Sequence, residues 1–234
     1  MSNRVVGLGG GLAIDLGVSL SVSGSAFQDN TAGSGGGVGV SASTALLTGC
    51  HLSGNTATFG AGLCLLSPLD VEVAETEIAS NVAELSGGGV YSSDGTYSVT
   101  CSAVTGNSAV ESGGAFWVLG SEGLVTQSSI ANNSSAGLAG GFFIDGAPIT
   151  ISSCELVGNG LAVYVATPSR AIADARHDWW GDPSGPYHPS LNPGGLGDEV
   201  SDSVQFAPWN VTADAPEHPE VVPSTWGAIK VIHR

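Results

Sequence analysis

Six asparagines constrain most of what this chain can fold into. Asn30, Asn55, Asn81, Asn107, Asn133 and Asn159 are separated by 25, 26, 26, 26 and 26 residues. A sustained period in the twenties, with no helical pattern inside the unit, points to a solenoid whose coils stack on one another. The residue three before each asparagine is Phe27, Leu52, Ile78, Val104, Ile130 and Leu156, and the residue eight before is Val22, Leu47, Val73, Val99, Val125 and Ile151. Five before stands a small side chain: Ser25, Cys50, Thr76, Ser102, Ser128 or Cys154. Apolar residues at spacings of two and three describe short strands joined by a bend, with the small residue filling the corner.

After each asparagine the spacing predicts a polar turn, then a glycine cluster and a further strand. The clusters include Gly35-Gly36-Gly37, Gly87-Gly88-Gly89 and Gly140-Gly141. Such glycines suit sharp corners and close backbone approach. About three short strands per coil follow. The asparagines should pile up at one bend, each amide bonding the next coil and satisfying groups that would otherwise be buried unpaired.

The hydrophobic-x-x-Asn signature followed by Gly-Gly-Gly-hydrophobic, over residues 7 to 165, resembles the right-handed parallel β-helix repeats of bacterial secreted and surface proteins, including chlamydial polymorphic outer-membrane proteins. Together, the period and the resemblance imply an all-β chain. The expected fold is a single-stranded parallel β-helix, or β-solenoid, of about six coils of ~26 residues over residues 1–166, right-handed as the resemblance implies.

From Thr167 the composition shifts to Pro, Asp, Trp and His. Arg176-His177-Asp178-Trp179-Trp180-Gly181, with Gly185-Pro186 and Pro208-Trp209, is similar to the terminal segment of many secreted bacterial β-helix proteins, although Asp178 stands where that segment usually carries Asn. An open end of a β-helix exposes unpaired edges and core, so residues 167–210 read as an irregular cap. Trp179, Trp180, Phe206 and Trp209 are the expected plug. Residues 211–234 read as an acidic Pro-containing linker and a terminal tail strand.

The formal net charge is −16, and no Lys or Arg occurs between Arg4 and Arg170. Such a surface disfavours nucleic acid and repels anionic membranes, and no run is long and apolar enough for membrane insertion. The N-terminal residues carry no signal-peptide pattern and enter repeat sequence directly, which reads as a fragment of an extracellular or cell-surface protein. Cys50, Cys64, Cys101 and Cys154 have neither disulfide-like nor zinc-like spacing and read as free thiols. No metal site and no cofactor is implied, apart from calcium candidates Asp198, Glu199 and Asp202 after a Gly-rich loop, for which a solvated acidic loop is the plainer reading.

Catalytic groups are missing where this fold would need them. A lyase requires a basic residue, and no Lys or Arg stands between Arg4 and Arg170. A hydrolase requires paired carboxylates, yet the outward positions of the strand after the glycines are Ala13, Gly39, Cys64, Tyr91, Trp117 and Phe143. Cys64, Tyr91, Trp117, Phe143 and Tyr164 should instead run outward in register. An exposed aromatic column either binds something or is covered; Trp226, Ile229 or Val231 of the tail are the candidate cover. The expected function is a non-catalytic structural, adhesive or self-assembling protein, with itself (end to end or laterally) or another surface protein as partner. The alternative is a carbohydrate-binding or carbohydrate-active module using Tyr91, Trp117, Phe143 and Tyr164 on a neutral glycan. Behind both stands ice binding through Ser23, Thr48, Thr100, Thr126 and Ser152, a column interrupted by Ala74 and flanked by Leu46, Glu72 and Leu124.

Overall fold

The computed structural model describes residues 3–168, 170 and 172–213, and the backbone of Ala228–Val231. Among them there is no helix, and the chain winds into a parallel β-solenoid of about six coils. Each full coil supplies one short strand to each of four sheets. Sheet I holds Leu12–Asp15, Val38–Ser41, Leu63–Leu66, Val90–Ser93, Phe116–Leu119, Phe142–Asp145 and Leu161–Val165. Sheet II holds Ser19–Ser23, Thr44–Thr48, Asp70–Ala74, Thr96–Thr100, Glu122–Thr126 and Ile149–Ser152. Sheet III runs from Ala26–Gln28 to Glu155–Val157, and sheet IV from Thr31–Ser34 to Ser134–Ser135.

Four strands per coil correct the expectation of three. The stretch after each asparagine, expected as a turn, is the sheet IV strand: Thr31–Ser34, Thr56–Phe59, Val82–Ser86, Ser108–Ala109 and Ser134–Ser135. Its inward residues are alanines except in the last strand, where Ser135 follows Ala109 in register, and Ala57, Ala83 and Ala109 form a small core with Ala61, apart from the main one. The main core stacks like on like across coils. On sheet I, Val90, Phe116 and Phe142 follow one another in register, and the Phe116 and Phe142 rings lie parallel with centroids 4.5 Å apart. The Gly88 corner is tight: a Cβ there would lie 2.4 Å from Ser108 O and 2.5 Å from Gly114 O, although the equivalent corner one coil earlier holds Ala61.

The cap continues the sheets. Ala173–Asp174 and Val204–Gln205 extend sheet II, while Gly197–Val200 and Pro186–Tyr187 extend sheet I. Trp180 is fully buried, Phe206 is buried in the same core, and Trp209 packs partly buried against that core. Trp179 departs from the expected plug. It is half-buried and its backbone pairs with Glu155. Neighbouring residues of extended backbone face opposite ways, so Trp179 and Trp180 do not both enter the core.

At the opposite end of sheet II, Ala228–Val231 pairs antiparallel with Ser19–Ser23. Ile229 and Val231 sit in a strand on sheet II, whereas the aromatic column lies on sheet I. Trp226, with the rest of 214–227 and 232–234, lies outside the described residues.

Candidate binding surface and the ladders behind it

The asparagine column is a closed hydrogen-bond ladder. Oδ1 of Asn81 accepts the backbone N–H and the Nδ2 of Asn55, both at 2.9 Å. Asn81 Nδ2 then donates to Leu52 O at 2.8 Å and to Asn107 Oδ1 at 2.9 Å. The pattern repeats through Asn133 to Asn159, and Asn30 enters it through Asn55. All six side chains are buried. Each of these amides thus spends its acceptor on the coil before it and its donors inside the wall, which leaves nothing to offer a ligand.

The small residues form a second ladder rather than mere filler. Thr76 Oγ1 accepts from Cys50 N at 3.2 Å, Ser102 Oγ from Thr76 N at 3.1 Å and Ser128 Oγ from Ser102 N at 3.1 Å. Asp178 closes this column: its Oδ1 accepts from Cys154 N at 2.7 Å. Its other oxygen is buried without a protein partner, and burial pushes the carboxyl up to about 8, so Asp178 is largely protonated at neutral pH.

Asp198 closes the asparagine column. Its Oδ2 accepts from Asn159 N at 2.7 Å and Nδ2 at 3.1 Å, and its Oδ1 from Gly158 N at 3.1 Å. Burial raises its pKa, opposed by these donors from Asn159 and Gly158. The proposed calcium trio is not gathered around one point. Asp198 faces the ladder, Glu199 is exposed, and Asp202 lies 3.3 Å from His188 Nε2. Among the described residues no three His, Cys, Asp or Glu converge in a metal-holding group.

On the outer surface, sheet I carries the aromatic column. Tyr91, Trp117, Phe143 and Tyr164 pair in register on successive coils, each half-buried, while the residues on either side of each point into the core. Centroids are 4.7 Å apart for Tyr91 and Trp117, 5.9 Å for Trp117 and Phe143, and 5.6 Å for Phe143 and Tyr164. The interplanar angles are 9°, 2° and 27°. Cys64 departs from the expectation: it holds the same register position but is fully buried. The ring beside Tyr91 comes instead from Phe59, at 5.2 Å, in the sheet IV strand one coil earlier. Phe59 escaped the sequence reading because it precedes the glycine corner, out of phase with the strand that bears the others.

Other candidate chemistry stays dispersed. In the strand pairings no carboxylate faces another: Glu72 lies between Leu46 and Ser98, Asp70 beside Thr44, Glu122 beside Thr96, and Glu77 beside His51 and Ala103. His51 Nδ1 and Glu77 Oε2 are 2.7 Å apart and form a lateral tie between coils. The hydroxyl column Ser23, Thr48, Ala74, Thr100, Thr126 and Ser152 is in register, but the neighbouring outward column holds the exposed Leu46 and Leu124 with Glu72 between them. All four cysteines are free; Cys50, Cys64 and Cys154 are buried and Cys101 is partly exposed. Comparison with protein-family models, with curated proteins and with solved structures finds no match.

Proposed function

We propose that this chain is a non-catalytic extracellular or cell-surface scaffold that adheres to another polypeptide through the side of its rod. The observation that carries the reading is the half-exposed ladder of Tyr91, Trp117, Phe143 and Tyr164, extended by Phe59. A contiguous apolar ridge in water favours a partner. Polypeptide is preferred to sugar because of how the rings stand. Sugar stacking needs an open ring face, and at these separations and angles the faces of Trp117 and Phe143 are turned toward their neighbours and the edges outward. Edges and side-on methyl groups suit the irregular apolar surface of a protein.

Lateral contact is preferred to end-to-end stacking. Asp198 and Asp178 already terminate both internal ladders at one end, and Ala228–Val231 occupies an edge at the other. The likeness of the repeats to those of bacterial surface proteins supports the cell-surface location. A glycan array and a reducing-sugar release assay test the reading, using the full chain and Trp117→Ala. No glycan signal and no released sugar are expected. A glycan signal that disappears in Trp117→Ala moves the function to carbohydrate binding, and sugar release overturns the non-catalytic reading.

A further inference from the structure

The ridge has a definite length and stands in a field of one sign. From Phe59 to Tyr164 it crosses four coil steps, about 19 Å at ~4.8 Å per strand. Leu66 and Leu119 share its sheet two positions along the strand and broaden it. That footprint matches about three and a half turns of helix at 5.4 Å per turn, or about six residues of extended chain.

Among the described residues, the charged side chains beside the rings from Tyr91 to Phe143 are acidic. Asp145 lies two residues beyond Phe143, on the same face of the same strand and in register with Leu119. Asp94 follows the Tyr91 strand, and Glu111 precedes the Trp117 corner and is exposed. Burial first, then the neighbouring Cys64 and Asp94, holds the Tyr91 hydroxyl above its ordinary pKa, which places the Asp94 charge within reach of the ladder. No Lys or Arg lies between Arg4 and Arg170, so none offsets them on the coils of Phe59, Tyr91, Trp117 and Phe143; beyond Tyr164, Arg176 is tied to Asp174 and Arg170 is exposed in a turn.

We propose that the ladder receives a basic, apolar-centred segment of another polypeptide rather than a second copy of this chain. The inference rests on the lateral-adhesion reading and adds the sign of the partner. Two copies, each with a net charge of −16, would bring like-charged rims together, whereas cationic residues flanking an apolar stripe meet Asp94, Glu111 and Asp145 while the stripe meets the ring edges.

The test uses the full chain and three synthetic 14-residue amphipathic peptides. Two share one leucine stripe, with lysine or glutamate on the remaining face; the third keeps the lysines and replaces leucine by serine. Calorimetric titration is run against wild type and Trp117→Ala, with circular dichroism confirming that the variant keeps its β signal. The leucine-lysine peptide is expected to bind wild type at least tenfold more tightly than either other peptide, and to lose at least tenfold in Trp117→Ala. Tighter binding of the leucine-glutamate peptide, itself lost in Trp117→Ala, overturns the charge argument while sparing lateral adhesion. Lysine-peptide binding that ignores both the leucines and Trp117 is unspecific attraction and overturns both. Sedimentation showing a wild-type dimer that dissociates in Trp117→Ala makes the partner a second copy and overturns the proposal.

Discussion

Replacing Asn107 by aspartate changes two N–H groups into one oxygen and leaves the shape of the side chain almost untouched. In the wild type its Oδ1 accepts from Asn81 N at 3.0 Å and Asn81 Nδ2 at 2.9 Å, and its Nδ2 donates to Ile78 O at 2.8 Å and Asn133 Oδ1 at 3.0 Å. Aspartate keeps both acceptances, loses both donations, and sets an oxygen against two acceptors. Each buried polar group left unpaired costs ~1–3 kcal/mol. Ionising the carboxyl in that position adds about 1.4 kcal/mol for every unit by which burial raises its pKa, and protonation restores one donation. The raised folded-state pKa means that stability is retained below about pH 4 and lost as pH rises. Asn107→Asp should therefore cost about 2 kcal/mol relative to wild type near pH 4 and about 4–6 kcal/mol near pH 7. Urea unfolding followed by circular dichroism measures the difference, and hydrogen exchange should place the damage in the coils of Asn81 to Asn133. A loss below ~1 kcal/mol, or one independent of pH, would refute the claim that these amides are mutually obligatory partners.

Aspartate suits the foot of the column, where no following rung needs donors. Asp198→Asn exchanges one acceptor for an NH2 against Gly158 N–H and should cost only ~1–2 kcal/mol by the same unfolding assay. Asp178, with its carboxyl raised to about 8, gives stability that is full below its unfolded pKa of about 4 and declines by ~1.4 kcal/mol per pH unit up to about 8. Asp178→Asn should flatten that decline in a pH series of unfolding curves, and equal slopes in both proteins would contradict the assignment. Trp180→Ala should lose ~3–5 kcal/mol and bind a hydrophobic dye, whereas Trp179→Ala, removing a half-buried ring, should lose under ~1.5 kcal/mol in thermal unfolding. Gly88→Ala drives a methyl into the Ser108 and Gly114 carbonyls and should cost ~1–3 kcal/mol or more; an unchanged melting temperature would mean that the corner yields.

The stack of coils was legible because its residues repeat at constant spacing: Asn55 to Asn133 and Leu52 to Ile130 need no tertiary knowledge to align. The sheet IV strand was not, since Ala57, Ala83 and Ala109 bury too little to stand out from a turn. Both closing carboxylates were hidden by their offsets. Asp178 meets Cys154 across 24 residues and Asp198 meets Asn159 across 39, so neither falls on the period that identified the rungs above them. In the aromatic column, alternation revealed which residues face outward. Strand parity says nothing of ring tilt, so the edge-on stance of Trp117 and the arrival of Phe59 from another sheet needed coordinates.

The asparagine column has a direction: every amide along it takes protons from the coil behind and hands one to the coil ahead, and the run ends in a group that only receives. Copying or excising a whole coil preserves that grammar, because any rung fits any other and the terminal receiver is indifferent to how many precede it. Rod length is thus free to vary in whole-coil steps by duplication, and copying a coil that bears Tyr91, Trp117 or Phe143 lengthens the lateral ridge as well, while a partial insertion interrupts the column at once.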